Sequence, residues 1–254
     1  MEYTSNSQRA RVLSEFWVAN HAYCLACTNE SLRQTPANTR ARDFECNRCG
    51  HPYELKSSIR PFQRKVVDGA YRSMMERIED GTVASFLLLQ YDRHAAVTHL
   101  TAIHRSFITP EVIEERKPLS SSARRAGWVG CNLLMHRVPP EGRISLMHVG
   151  IEVPRFETRA VFSAVSQLSK ETSSGRSWAR ALLTCLHRLN DEEFSLAQVY
   201  SFEAELKLLY PGNKNVRAKI RQQLQVLRDA GLLIFKGHGF YKLAFNIGKG
   251  KYGA

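Results

Sequence analysis

No run of about 18 consecutive apolar residues occurs in the chain, so nothing in it is long enough to span a bilayer as a helix. The opening residues, Met1-Glu-Tyr-Thr-Ser-Asn-Ser7, lack both a basic n-region and an apolar h-region. That leaves no secretory signal to read and sets the expectation of a cytoplasmic protein. The heptads and long arms of an obligate coiled-coil dimer are missing too, and no internal repeat is visible, so a monomer is expected. Acidic residues are scarce beside basic ones: 24 Asp and Glu against 36 Lys and Arg give a net charge of +12. Such an excess draws polyanions to the surface, nucleic acid or an anionic membrane first among them. Cysteine is sparse, six in 254 residues. In a reducing compartment paired cysteines are better explained by metal than by disulfides.

Four of the six are paired. Cys24/Cys27 and Cys46/Cys49 form two Cys-x-x-Cys turns either side of an 18-residue spacer. Each turn brings two sulfurs to one ion, and two turns close a tetrahedral zinc shell. Four thiolates leave no vacancy for His51 and no open position for an activated water, so this zinc is structural. Cys131 and Cys185 have no nearby partner and read as small buried apolar residues.

The second pair lies inside a chemically dense stretch, Asp43-Phe-Glu-Cys-Asn-Arg-Cys-Gly-His-Pro-Tyr-Glu54-Leu-Lys56. Residues 42–46 and 53–56 read as the strands of a hairpin with the cysteine pair in its turn. On a strand Glu54 and Lys56 point to one side, and Asp43 on the partner strand supplies a second carboxylate. Two carboxylates with open positions suit Mg²⁺, which keeps its waters and accepts phosphate oxygens. The lysine can orient or deprotonate an attacking water and offset charge on a pentacovalent phosphate. Glu-x-Lys alone is a common surface pair; its place on a zinc-clamped hairpin in basic surroundings is what gives it weight.

Around this stretch the pattern is mixed. A helix is expected over 7–22, capped by Ser7, with Val12, Leu13, Phe16 and Trp17 on its apolar face. Residues 29–39 are polar loop. A helix over 65–78 follows from Val66, Ala70, Met74 and Ile78, and strands over 83–91 and 97–104 flank the turn Asp92-Arg93-His94. Pro110 opens a short helix over 111–116. Residues 116–132 form a basic, Ser/Gly-rich loop carrying Trp128 between Arg124, Arg125 and glycines, and 144–149 is another strand. This is the order of an α/β domain with a mixed sheet. An aromatic plane amid cations suits contact with DNA, with Arg124 and Arg125 on phosphates, and suits a tryptophan of the core equally well.

Residues 170–175 have linker composition. Beyond them helices over 177–188, 195–200, 201–210 and 213–230 precede a ribbon of strands, 232–236 and 240–245, around Gly237-His238-Gly239. Ser195 caps the second helix, Pro211-Gly212 breaks the third and Gly231 stops the fourth, while 246–254 read as a frayed tail. Helices followed by a ribbon is the order of a winged helix. From 176 to 254 there are 13 Lys and Arg against 6 Asp and Glu, so +7 of the charge lies here. On the fourth helix Val216, Ile220, Leu224 and Leu227 make an apolar stripe, and Arg217, Arg221, Gln225 and Arg228 face away from it, ready for phosphates and base edges. Trp178, at the start of a patterned helix, is expected in the core.

The block 43–56 resembles the active-site segment of the PD-(D/E)xK nucleases, with Arg42 where that motif's leading proline would stand. More narrowly the chain is similar to the DpnI family of methylation-dependent restriction endonucleases. The similarity runs through Tyr-Cys-Leu-Ala-Cys at 23–27, Glu-Leu-Lys-Ser at 54–57 and Asp-Gly-Ala-Tyr-Arg-Ser-Met-Met at 68–75. It continues with Arg-Lys-Pro-Leu at 116–119, Ala-Arg-Arg-Ala-Gly-Trp-Val-Gly-Cys-Asn at 123–132 and Lys-Ile-Arg-Gln-Gln-Leu-Gln-Val-Leu-Arg-Asp at 219–229. The resemblance implies a catalytic PD-(D/E)xK domain over 1–172 and a winged helix over 176–254. It implies Asp43, Glu54 and Lys56 as catalytic residues, with magnesium held by Asp43, Glu54 and Leu55. It also implies cleavage of double-stranded DNA at GATC with N-methylated adenine. Trp128 is the expected methyl contact in the first domain. Two other functions stand beside this one: a non-catalytic zinc and winged-helix regulator, and a ribonuclease or repair nuclease with the same chemistry.

Overall fold

The computed structural model describes residues 5–36, 39, 42–168, 173–189, 191 and 193–244. The chain divides into two compact units, Met1–Phe162 and Ser163–Ala254.

In the first unit α1 (Asn6–His21) leads into short strands β1 (Arg33–Gln34) and β2 (Phe44–Glu45), then β3 (Pro52–Ser58) and β4 (Lys65–Ala70). Helix α2 (Tyr71–Glu79) follows, then β5 (Ser85–Tyr91), β6 (Val97–Ile103), β7 (Ile113–Glu115), β8 (Gly130–Leu134), β9 (Arg143–His148), β10 (Ile151–Glu152) and α3 (Arg155–Leu168), which runs past the division. The main sheet has the order β1-β2-β3-β5-β6-β9-β10, and β4-β8-β7 form a second sheet. All pairs in the main sheet are antiparallel except β3 with β5. A parallel pair needs a long crossover, and 59–84 supply it as β4 and α2. Strand β5 is buried over its first five residues, as a central strand covered on both faces should be. Phe44, Tyr53, Phe86, Leu87, Leu89 and Ile103 fill the core around it.

Several expected elements change. Ser5, whose side chain accepts from the Gln8 N–H, caps α1, and Ser7 lies inside the helix. The face assigned to α1 is also displaced. Leu13 and Phe16 are 56% and 68% exposed, while Ser14 and Val18 are buried. Ser14 can be buried because its hydroxyl donates to the Ala10 carbonyl at 2.6 Å. The first half of the helix expected over 65–78 is strand β4. Residues 65–70 alternate exposed and buried, with Val66 and Asp68 inward; a spacing of four also fits a period of two, and pairing with β8 decides between them. The helix expected at 111–116 is a single 3-10 turn, Pro110–Val112, before β7. The basic loop ends earlier than expected, because Gly130, Cys131 and Asn132 belong to β8.

The second unit contains α4 (Ser173–Arg188), β11 (Glu193–Ser195), α5 (Leu196–Tyr200), α6 (Glu203–Leu209), α7 (Val216–Asp229), β12 (Leu233–Gly237) and β13 (Phe240–Leu243). Residues 173–175 of the expected linker are the first turn of α4; the rest of it that falls on 170–172 lies outside the described residues, as do 245–254. The three strands form a sheet in the order β11-β13-β12. Leu182, Leu186, Phe194, Leu206, Ile220, Leu224 and Leu227 pack into one core. Trp178 is in it, stacked on Tyr210 with ring centres 4.2 Å apart. Ser195 and Gln198 make a capping box on α5. The wing turn takes positive φ at Gly237, His238 and Gly239, which two glycines make inexpensive.

Candidate active site and metal centre

The two cysteine turns converge. The Cys24 and Cys49 sulfurs lie 3.6 Å apart, as do those of Cys27 and Cys46, and all four sulfurs fall within 4.8 Å of one another. Zinc–sulfur bonds of about 2.3 Å place tetrahedral sulfurs about 3.8 Å apart, so these four thiols fit a closed zinc shell. Burial raises the Cys24 and Cys49 thiols, whereas at Cys46 the Cys49 and Arg48 N–H groups outweigh burial and bring it down to about 6, so the ion itself must hold Cys24 and Cys49 ionised. A thiolate at neutral pH is what zinc ligation requires. Arg159 of α3 braces the first turn, donating to the Cys24 and Asn29 carbonyls at 3.0 and 2.9 Å. Cys131 and Cys185 are buried, apart from this cluster.

The second cysteine turn is the bend between β2 and β3, with Phe44 opposite Tyr53 and Glu45 opposite Pro52. The Asp43 N–H donates to the Tyr53 carbonyl at 2.9 Å, which carries the ladder one residue beyond β2. Asp43 Oδ2 in turn accepts from the Leu55 N–H at 2.8 Å. This bond fixes the carboxylate beside the Glu54–Lys56 strand segment. Glu54 and Lys56 share a face of β3, and the Lys56 ammonium lies 2.9 Å from Glu54 Oε1. Asp43, Glu54, Leu55, Lys56 and Ser57 line one cleft of about 200 Å³ with Arg11, Glu15 and Arg42.

The electrostatics follow from burial. Glu54 is 7% exposed, and desolvation together with the Asp68 carboxylate lifts it to about 7 against the pull of Lys56. Asp43 is raised as well, by burial, with the Leu55 N–H and Lys56 holding it back. Burial opposes the charge on Lys56, yet Glu54 and Asp68 together raise it above the ordinary lysine value. Arg77 of α2 adds a second cation 3.5 Å from Glu54 Oε2. Asp43 and Glu54 are thus crowded, desolvated carboxylates, and the Leu55 carbonyl belongs to the same strand segment. Such a donor set gains from a divalent cation that takes the carboxylates in their ionised form.

Glu15, Arg11, Asp68 and Arg77 escape a reading of local spacing. Glu15 and Arg11 come from α1, where they pair at 2.6 Å and only the fold brings them to the cleft. Asp68 sits on β4, with Lys56 Nζ donating to its Oδ1 at 2.6 Å. Its signal was the alternation across 65–70, obscured by the helical spacing around it.

Trp128 ends the loop between β7 and β8. The Leu119 N–H donates to the Trp128 carbonyl, and the Gly127 N–H to the Leu119 carbonyl, both at 3.0 Å. The Arg125 guanidinium lies 4.7 Å over the half-buried indole. Arg124 and Arg125 are exposed. On α7 the apolar stripe is buried, and Arg217, Arg221, Gln225 and Arg228 are all exposed. Arg217 pairs with Glu203 at 2.7 Å, Arg221 donates to the Tyr200 hydroxyl at 2.7 Å, and Arg228 pairs with Asp229 at 2.9 Å.

Comparison with known families bears on both units. The model of the Dam-replacing family, DpnI, matches residues 1–171, and that of the Dam-replacing helix-turn-helix domain matches 174–243. The chain belongs to the Dam-replacing family. It is therefore a DpnI-like nuclease of the restriction type, with a mixed α/β body and a helix-turn-helix DNA-binding domain. No helix among the described residues is long and apolar enough to cross a membrane.

Proposed function

We propose that the protein is a Mg²⁺-dependent type II endonuclease that hydrolyses double-stranded DNA at GATC sites carrying N-methylated adenine. In this reading residues 1–172 are the catalytic domain and 176–254 the winged-helix reader. A monomer acting in the cytoplasm suffices. The observation that carries the proposal is the convergence of Asp43, Glu54 and Lys56 on one cleft. A regulator that only binds DNA gains nothing from two buried carboxylates facing a polyanion, since they repel phosphate unless a cation intervenes. The target sequence and the methyl requirement are expectations taken from the family.

Asp43, Glu54 and the Leu55 carbonyl would hold magnesium, which supplies a Lewis acid for a phosphate oxygen and an acidified water. Leu55 N–H holds the Asp43 carboxylate beside the Glu54–Lys56 segment. Lys56, held as an ammonium between Glu54 and Asp68, offsets charge developing on the phosphorus-bound oxygens. Arg11 and Arg42, which also line the cleft, attract the phosphodiester backbone. Arg124, Arg125 and Trp128 on one unit, and Arg217, Arg221, Gln225 and Arg228 on the other, are the proposed DNA contacts. A single buried methyl contributes only about 0.8 kcal/mol, so methyl sensing at two places separates methylated from unmethylated sites better than sensing at one.

The test is incubation of matched methylated and unmethylated plasmids with Mg²⁺ or with EDTA. Cutting of the methylated plasmid in Mg²⁺ alone is the expected result. Binding without cutting would make the protein a regulator, and equal cutting of both plasmids would remove the methyl requirement.

A further inference from the structure

We propose that Asp68 is the positioning residue for Lys56: from a neighbouring sheet, and from outside the residues that line the cleft, it anchors the lysine amine there. The inference rests on the nuclease reading above.

A lysine side chain has four rotatable bonds and gives up rotamer entropy when it is fixed. Lys56 is fixed by two carboxylates, Glu54 Oε1 at 2.9 Å and Asp68 Oδ1 at 2.6 Å. These two anchors differ in place. Glu54 lines the cleft, so a cation entering there takes its oxygens away from the lysine. Asp68 is not among the lining residues; its side chain is 2% exposed. Asp68 thus stands behind the cleft, and its contact with Lys56 does not use a cleft-lining oxygen.

The fold aims Asp68 deliberately. On β4 it alternates inward with Val66, while Lys65, Val67 and Gly69 face outward. It pairs with Cys131 of β8, and the register then shifts between Asp68 and Ala70. A bulge of this kind re-aims a side chain. Oδ2 of Asp68 has no hydrogen-bond partner among the described residues. A buried carboxylate with one oxygen unmatched is costly to stability, and what it gains is the amine. A general structural role would favour a fully satisfied or apolar side chain at this position.

Two measurements on the full chain test this. The first is a melting cycle without added divalent cation, comparing Asp68→Asn, Lys56→Met and the double variant. If the two side chains act as a pair, Asp68→Asn lowers the melting temperature in the parent chain and raises it in the Lys56→Met background, where Asp68 would be a buried charge with no amine beside it. An equal loss in both backgrounds would make Asp68 a packing residue and overturn the proposal. The second is single-turnover cleavage in Mg²⁺. Asp68→Asn should slow cutting roughly 10- to 100-fold, the size typical of a residue that orients a reacting group, while DNA affinity and zinc content hold. Asp68→Glu should recover part of the rate. Cutting by Asp68→Asn at the parent rate would also overturn the proposal. Failure of the parent chain to cut any DNA is a separate outcome, which sinks the nuclease reading; the melting cycle still decides the pairing.

Discussion

Individual side chains in this protein are tuned mainly by what they are buried against. His51 stands 9% exposed, its Nε2 3.0 Å from Ser85 Oγ and its ring edge-on to Phe162 at 5.2 Å. Burial, with Arg105 nearby, lowers its pKa to about 4. The folded state therefore holds His51 neutral where the unfolded chain, near 6.5, already binds a proton. Stability from this residue is complete above about pH 6.5 and is lost as pH falls toward 4, up to roughly 3 kcal/mol. Replacing His51 by Gln should flatten that part of a denaturant-melting profile between pH 6.5 and 4. A second prediction at this scale concerns Gly130. A Cβ built there meets the Trp128 ring at 2.8 Å, a separation no real contact sustains. Gly130→Ala should push the indole out of place. If the ring senses the methyl group, the preference for methylated over unmethylated plasmid drops about tenfold or more, while zinc content and melting temperature stay near the parent values. An unchanged preference would release Trp128 from that role.

Between residues and the whole chain, the hairpin of β2 and β3 is the element on which the chemistry depends. Its bend is the second cysteine turn, so the four-cysteine cluster and the carboxylate site share one ribbon. Removing zinc with a strong chelator should lower the melting temperature and abolish cutting, and magnesium alone should not restore it; one zinc per chain should be lost. This element was readable from sequence because its signals are local: two cysteine turns, and acid and lysine at strand spacing. Other elements were not. Strand β4 was hidden because Val66, Ala70, Met74 and Ile78 recur at four, and an inward Asp68 reads as a surface residue until its lysine is known. For α1 the large apolar residues pointed to the wrong face. Leu13 and Phe16 face outward, while small Ser14 and Val18 let the helix approach β3 and bring Arg11 and Glu15 to the cleft. Only tertiary placement reveals such a face. The cap at Ser195, the break at Pro211-Gly212 and the stripe on α7 were legible, because each is set within a few residues.

Across the whole molecule, charge is the dominant long-range property. The chain carries +12, and +7 of it belongs to residues 176–254. The apolar side of α7 is consumed by the core, so its basic side is what solvent meets. If this helix tracks phosphates, the logarithm of DNA affinity falls linearly with the logarithm of salt concentration. Arg221→Ala then weakens binding across sequences and reduces the steepness by about one. Binding measured without divalent cation over a range of NaCl checks both. A slope unchanged by the substitution would place Arg221 away from the DNA, where its bond to Tyr200 is its whole role.

The register of β3 fixes which of its side chains stand together. Glu54 pairs in register with Phe86 and Lys56 with Leu88, and side chains along a strand take alternate sides. A single residue added to or deleted from the bend at 46–51 would slide β2 by one place against β3 and carry Asp43 off the Leu55 N–H that holds it beside Glu54 and Lys56. Surface residues of this bend are thus free to vary in kind, but its length is closed to change.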